Sequence, residues 1–131
     1  MANRGEIACR ILRACKEAGH PTVAVCAPND AGSLFTEMAD TVVMLEGETI
    51  AETYLDQNQI IQAALTTGAT AIHPGFGFLS ERAEFATAVE AAGLTWIGPS
   101  ALAIEKMGDK MTARQRCGRR LLELEPVALQ R

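Results

Sequence analysis

Short apolar segments alternate with amphipathic helical segments along most of this chain, and this alternation restricts its possible folds more than any other feature. Residues 5–18 carry apolar side chains at helical spacing, and the following run, residues 22–26, is short and almost uniformly apolar. The same order then recurs along the chain. Such alternation predicts βαβ units with right-handed crossovers, a largely parallel sheet and helices on both of its faces. The expected fold class is therefore α/β and Rossmann-like.

Turn and capping residues place the predicted boundaries. Glycines that follow the predicted helices are expected to end them, and Asp56 and Ser100 are expected to cap the next ones. The predicted strands are residues 22–26, 41–45, 69–72 and 94–97, and the predicted helices are residues 5–18, 57–67, 82–92 and from 101 onward, with a helical turn at 34–39. Because only four residues precede the first helix, the first strand is expected to be missing or vestigial.

Composition excludes several classes of function. A formal net charge of −4 argues against nucleic acid as the main partner. The chain has no apolar run long enough for a membrane span and no secretory signal, which predicts a cytoplasmic protein without a membrane partner. Its four cysteines lack the spacing of zinc ligands, so no metal site is expected and small buried side chains are the favoured interpretation.

The loops after the predicted strands are where a sheet of this type binds ligands. One of them contains Gly75, Phe76 and Gly77, whose two glycines would allow a ligand close to the backbone but lack the third glycine of the dinucleotide fingerprint. A tight structural turn and a ligand-contacting loop both remain open. His73, just before this loop, could shuttle protons, but a structural histidine that hydrogen-bonds the loop is favoured because no partner is placed beside it.

Three basic residues are further candidates. Lys110 could offer its ammonium group to a phosphate, although taken alone a solvated surface lysine is the more common case. Arg10 and Arg13 lie three residues apart on the first predicted helix, beside Glu6 and Glu17. Local salt bridges and a surface for a partner are both compatible with that spacing.

Four groups of residues, taken together, resemble a known family. They are Ala2-Asn-Arg-Gly-Glu-Ile-Ala8 with Arg10-Ile11, Met38-Ala-Asp40, residues 73–81 (His-Pro-Gly-Phe-Gly-Phe-Leu-Ser-Glu), and Trp96-Ile-Gly-Pro99 with Met107-Gly-Asp-Lys110. In this order and spacing they are similar to the N-terminal, pre-ATP-grasp domain of biotin carboxylases of the acetyl-, propionyl-, methylcrotonyl- and pyruvate-type carboxylases.

The resemblance implies an enzyme that uses ATP and Mg²⁺ to activate bicarbonate and then carboxylates biotin, with the rest of the carboxylase and a biotin carboxyl carrier protein or domain as partners. Lys110 matches the family lysine that contacts ATP. Gly75, Phe76 and Gly77 match the loop on the biotin side of the site, where the family commonly has tyrosine in place of Phe76. Arg10 and Arg13 match positions near the interface of a homodimer.

Departures from the family pattern shape the expected function. Met1 stands where the family has the apolar end of its first strand, and the sequence after Arg116 lacks the expected Gly-Val-Pro turn and lid. We therefore expect a domain at residues 1–116 and an atypical tail at 117–131, produced by a truncated or shifted reading frame. Without the ATP-grasp domain no catalytic residue is assigned, and the isolated chain is expected to be inactive. The alternatives are the N-terminal domain of another ATP-grasp ligase, or a non-catalytic binding or dimerisation module.

Overall fold

A computed structural model describes residues 1–108 as an α/β arrangement of parallel strands and helices. Helix α1 (Gly5–Glu17) precedes strand β1 (Val23–Cys26), helix α2 (Leu34–Met38), strand β2 (Thr41–Met44) and helix α3 (Gln57–Thr67). Strand β3 (Ala71–Ile72), helix α4 (Ala83–Ala91), strand β4 (Thr95–Trp96) and helix α5 (Ala101–Gly108) follow. Short 3-10 turns at Pro28–Asp30 and Phe78–Glu81 occupy two of the loops after strands. The predicted boundary at residue 116 and the predicted tail lie outside the described residues.

The strands form two parallel pairs, β1 with β2 and β3 with β4. Met1–Asn3 lie between the pairs. The Met1 amino group donates to the Val23 carbonyl at 2.6 Å, the Val25 amide donates to the Met1 carbonyl at 3.4 Å, and the Ala2 amide donates to the His73 carbonyl at 3.0 Å. These few residues therefore occupy the position of the vestigial first strand and connect the two pairs.

Helices cover both faces of the sheet, as the sequence predicts. Ala24 and Cys26 of β1 pack in one apolar cluster with Ala8 and Leu12 of α1 and with Phe35 of α2. The intervening residue, Val25, belongs to a second and larger cluster that includes residues from α3, α4 and α5. Because successive strand residues point to opposite faces, these two clusters lie on opposite sides of the sheet.

Both predicted helix caps are present. The Asp56 side chain accepts hydrogen bonds from the amides of Asn58 and Gln59 at 3.0 and 3.2 Å, and the Ser100 hydroxyl accepts from the Ala103 amide at 3.2 Å. Each satisfies amide groups that a helix leaves unpaired in its first turn.

Strands β3 and β4 are shorter than predicted, with two residues each in place of residues 69–72 and 94–97. The Ala69 amide donates to the Ala64 carbonyl and the Leu94 amide to the Val89 carbonyl, so both residues close the preceding helix. Gly68, with a left-handed φ of 72°, allows this closure after α3. The apolar character of residues 69 and 94 reflects packing against the sheet and not membership of a strand.

Candidate functional site

The candidate site lies where the segment after Ala2 and the loops after β1 and β3 meet, at the carboxyl ends of the parallel strands. Asn3 is at the centre and is 3 % exposed. Its amide nitrogen donates to the carbonyls of Pro74 at 2.9 Å and Phe76 at 2.8 Å, and its oxygen accepts from the Arg4 amide at 2.8 Å. A buried amide with its hydrogen bonds satisfied in this way fixes the backbone it contacts. Asn3 therefore anchors the loop that follows β3.

The loop of residues Gly75, Phe76 and Gly77, called the Gly75–Gly77 loop, packs on Asn3. Gly75 has φ 71°, and a Cβ atom added there would lie 2.9 Å from Cβ and Nδ2 of Asn3 and from Cε of Met1. Gly77 has φ 69° and ψ −164°, a backbone conformation essentially restricted to glycine, and a Cβ added there would meet open space. Between them, the Phe76 side chain is 79 % exposed.

The sequence left a tight structural turn and a ligand-contacting loop both open, and the structure shows the tight turn. That the loop also contacts a ligand stays a prediction, but the geometry of the loop is suited to such a contact. The turn holds an exposed aromatic ring beside an unobstructed stretch of backbone, and an apolar ring system could pack against such a surface.

The side chain of His73 is hydrogen-bonded to the same loop. Its Nδ1 accepts a hydrogen bond from the Gly75 amide at 3.0 Å. Burial lowers the pKa of His73. Since the neutral ring is favoured, Nδ1 stays available as an acceptor. This arrangement agrees with the favoured sequence interpretation of a structural histidine.

A second group of side chains at this end of the sheet, here called the Arg4 cluster, consists of Arg4, Asp30, Tyr54 and Phe78. Nη1 of Arg4 lies 3.3 Å from Oδ2 of Asp30, and the Tyr54 hydroxyl donates to that oxygen at 2.7 Å. The Ala27 amide donates to the Tyr54 hydroxyl at 3.1 Å. Burial raises the pKa of Tyr54 well above its ordinary range, and Asp30 adds to this effect. The phenol therefore remains a hydrogen-bond donor.

Sequence reasoning missed the Arg4 cluster. Its members come from four segments, and contacts such as that between Arg4 and Asp30 join residues 26 positions apart. Asp30 stands in the loop after the predicted strand 22–26, where a ligand is expected, and Arg4 comes directly after the vestigial first strand. These positions are the signal that could have found them. Nothing in the sequence around Tyr54 or Phe78 indicates that their rings stack.

The other predicted site residues lie elsewhere or outside the described chain. Arg10 and Arg13 are exposed on α1, and within residues 1–108 neither forms a salt bridge with a carboxylate. The predicted local salt bridges are therefore absent from this part of the structure, and the partner-surface interpretation stays a prediction. Lys110 lies outside the described residues.

The described residues also bear on metal binding and on membrane association. No three His, Cys, Asp or Glu side chains among residues 1–108 gather closely enough to hold a metal ion. In the same part of the chain, every helix is too short or too polar to cross a membrane.

Comparison with known proteins identifies the family. Residues 1–104 match the model of the N-terminal domain of biotin carboxylase. The alpha3 subunit of a biotin-dependent acyl-coenzyme A carboxylase from Mycobacterium leprae is 52% identical over 126 residues, which are 96% of this chain and 21% of that protein. A biotin carboxylase from Pseudomonas aeruginosa is 51% identical over 114 residues, which are 87% of this chain and 25% of that protein.

Solved structures agree with this assignment. A biotin carboxylase domain dimer of Hydrogenobacter thermophilus 2-oxoglutarate carboxylase, in complex with MgADP, ADP and bicarbonate, has a TM-score of 0.84 at 46% identity over 90% of this chain and 26% of that one. The biotin carboxylase subunit of a pyruvate carboxylase has a TM-score of 0.82 at 50% identity, over 87% of this chain and 25% of that one.

The chain thus spans about a fifth to a quarter of these relatives' length. The match supports the biotin carboxylase interpretation of the sequence over that of another ATP-grasp ligase. The chain belongs to the biotin carboxylase family and corresponds to its N-terminal domain.

Proposed function

We propose that this chain forms one wall of a biotin carboxylase active site, with the Gly75–Gly77 loop as the wall on the biotin side. The observation that carries the proposal is the exposed ring of Phe76, which extends from a turn that Asn3 holds by two hydrogen bonds. Because these hydrogen bonds hold the backbone of the turn, a ligand that packs on the ring would order less of the chain than it would on a mobile loop. The missing tyrosine hydroxyl leaves this residue a packing role, which the exposed ring can fulfil.

The proposal extends to the other residues that match the family. Lys110 would contact ATP, and ATP with Mg²⁺ would supply the activating phosphoryl chemistry when bound. Arg10 and Arg13 would face the second subunit of a homodimer. The remaining segments of the carboxylase and its biotin carboxyl carrier protein or domain would be the partners, in the cytoplasm. The chain's own contribution is to orient biotin and to limit the access of water.

Titration of the chain with biotin tests the loop's role. We expect millimolar biotin to shift the amide resonances of Phe76 and Gly77, because the binding surface is small and only one wall of the site is formed. Resonances of Arg10 and Arg13 on α1 should not move. Phe76→Ala should abolish the shift at Gly77 without unfolding the chain, since the ring is exposed.

The matched control is Leu102→Ala, which removes another exposed apolar side chain on α5 and should leave the titration unchanged. Shifts confined to regions outside residues 73–78, or an unchanged titration in Phe76→Ala, would refute the assignment.

A non-catalytic dimerisation module remains the second candidate because Arg10 and Arg13 are exposed and lack carboxylate partners within residues 1–108. Sedimentation combined with titration of a fluorescent ATP analogue separates the two functions. A dimer that does not bind the analogue would favour the module.

A further inference from the structure

Phe78, directly after the Gly75–Gly77 loop, has an unusual backbone. Its φ is 48°, in the left-handed region that bulky residues rarely adopt. Such a conformation persists where surrounding contacts hold it in place. The Phe78 ring stacks on the Tyr54 ring, with centroids 5.4 Å apart and planes 3° from parallel. Because Phe78 is adjacent to Gly77, whatever holds this ring also sets the direction of the loop.

Arg4 contacts both rings of that stack. Its guanidinium carbon lies 5.6 Å from the Tyr54 centroid and 5.7 Å from the Phe78 centroid, within the range of cation–π attraction. A planar guanidinium can lie against aromatic rings while it also bonds a carboxylate, which a lysine ammonium group cannot do equally well. In this structure that carboxylate is Asp30, at 3.3 and 3.4 Å.

Asp30 is itself held in position. The Tyr54 hydroxyl donates to it at 2.7 Å, and that hydroxyl in turn accepts the Ala27 amide after β1. Tyr54 is fully buried and the Asp30 side chain is 19% exposed, whereas the Arg4 side chain is 39% exposed. Bulk water therefore screens the Arg4–Asp30 ion pair more than the hydrogen bond between Tyr54 and Asp30. The chain of contacts runs from the sheet to Tyr54, then to Asp30, to Arg4 and finally to Phe78.

We propose that Arg4 is a positioning residue for the biotin-side loop, which it holds through Phe78 and Tyr54. The inference rests on the proposed function, because it assigns a support to the wall proposed there. Asn3 holds the loop by hydrogen bonds to the carbonyls of Pro74 and Phe76. Arg4 holds the end of the loop, where Phe78 packs on Tyr54.

Amide hydrogen exchange in the full chain tests the proposal. The Ser80 amide, which donates to the Gly77 carbonyl at 3.0 Å, reports on the end of the loop, and the Ile97 amide, which donates to Ile72, reports on the sheet. Arg4→Met should speed Ser80 exchange about tenfold, because it removes an ion pair and two aromatic contacts, and should leave Ile97 unchanged. Arg4→Lys should recover only part of the protection, since it keeps the charge without the planar group. Arg82→Met, a change at an exposed arginine, is the control and should alter neither amide.

Biotin titration adds a readout that stability alone would not move. In Arg4→Met the biotin concentration for half of the Phe76 shift should rise about tenfold, because the competent loop conformation is less populated. If Arg4→Met fails to fold, Tyr54→Phe replaces it, and loss of the hydroxyl should speed Ser80 exchange about threefold.

Unchanged Ser80 exchange in a folded Arg4→Met chain, or in Tyr54→Phe where that variant is used, would overturn the positioning role. Failure of biotin to shift the Phe76 resonance in the unmodified chain would instead refute the proposed function. Faster Ser80 exchange in Arg4→Met would still show that Arg4 positions the loop.

Discussion

Gly75→Ala is expected to destabilise the chain by about 3 kcal/mol, because it combines backbone strain with a steric clash. The φ of 71° is unfavourable for any residue with a Cβ atom. The new Cβ would also lie 2.9 Å from Cβ and Nδ2 of Asn3. This side chain is buried, and both its amide nitrogen and its amide oxygen are hydrogen-bonded. Asn3 cannot move aside without losing the hydrogen bonds that hold the loop.

Gly68→Ala is the matched control for that substitution. Gly68 has a nearly identical φ of 72°, but a Cβ atom added there meets nothing within 4 Å. We expect it to cost about 1 kcal/mol, the strain without the clash. Urea denaturation followed by circular dichroism would measure both free energies of unfolding. Equal losses in the two variants would contradict the contact between Gly75 and Asn3.

The purified chain of 131 residues is expected to release no ADP in a biotin-dependent manner when given ATP, Mg²⁺, bicarbonate and biotin. Each preorganised group that stabilises charge in a transition state contributes about a hundredfold to thousandfold in rate. In the proposed function, Lys110 is the candidate contact for ATP and the Gly75–Gly77 loop forms one wall of the site. One wall cannot supply this electrostatic environment.

A coupled assay for ADP, run with and without biotin, measures this directly. Full-length Pseudomonas aeruginosa biotin carboxylase at the same concentration serves as the positive control. Biotin-dependent ADP release by the purified chain above the background without protein would show that the wall interpretation is wrong.

Local sequence signals predicted the helices and their ends well. The Asp56 cap and the left-handed Gly68 depend on a few neighbouring residues, so their effects can be inferred from the sequence. The short strands were less predictable, because apolar residues such as Ala69 and Leu94 close helices and still pack against the sheet. Hydrophobicity alone does not distinguish these two positions.

The candidate site was only partly predictable for a related reason. The two glycines around Phe76 indicated a turn, but its anchor, Asn3, lies 73 residues before Phe76. The stack of Tyr54 on Phe78 likewise depends on tertiary packing. Resemblance to a family identified residues that match a motif, whereas the side chains that support those residues became visible only in the folded structure.

The most direct test of the proposed function is a hybrid enzyme in which residues 2–104 replace the matching segment of Pseudomonas aeruginosa biotin carboxylase, a relative 51% identical to this chain over 114 residues. Steady-state kinetics would give the Michaelis constants for biotin and ATP. We expect biotin-dependent ATP cleavage within about tenfold of the parent, and a rise in the Michaelis constant for biotin, but not for ATP, in the hybrid carrying Phe76→Ala. A folded hybrid without activity, or a Phe76→Ala effect on ATP alone, would contradict it.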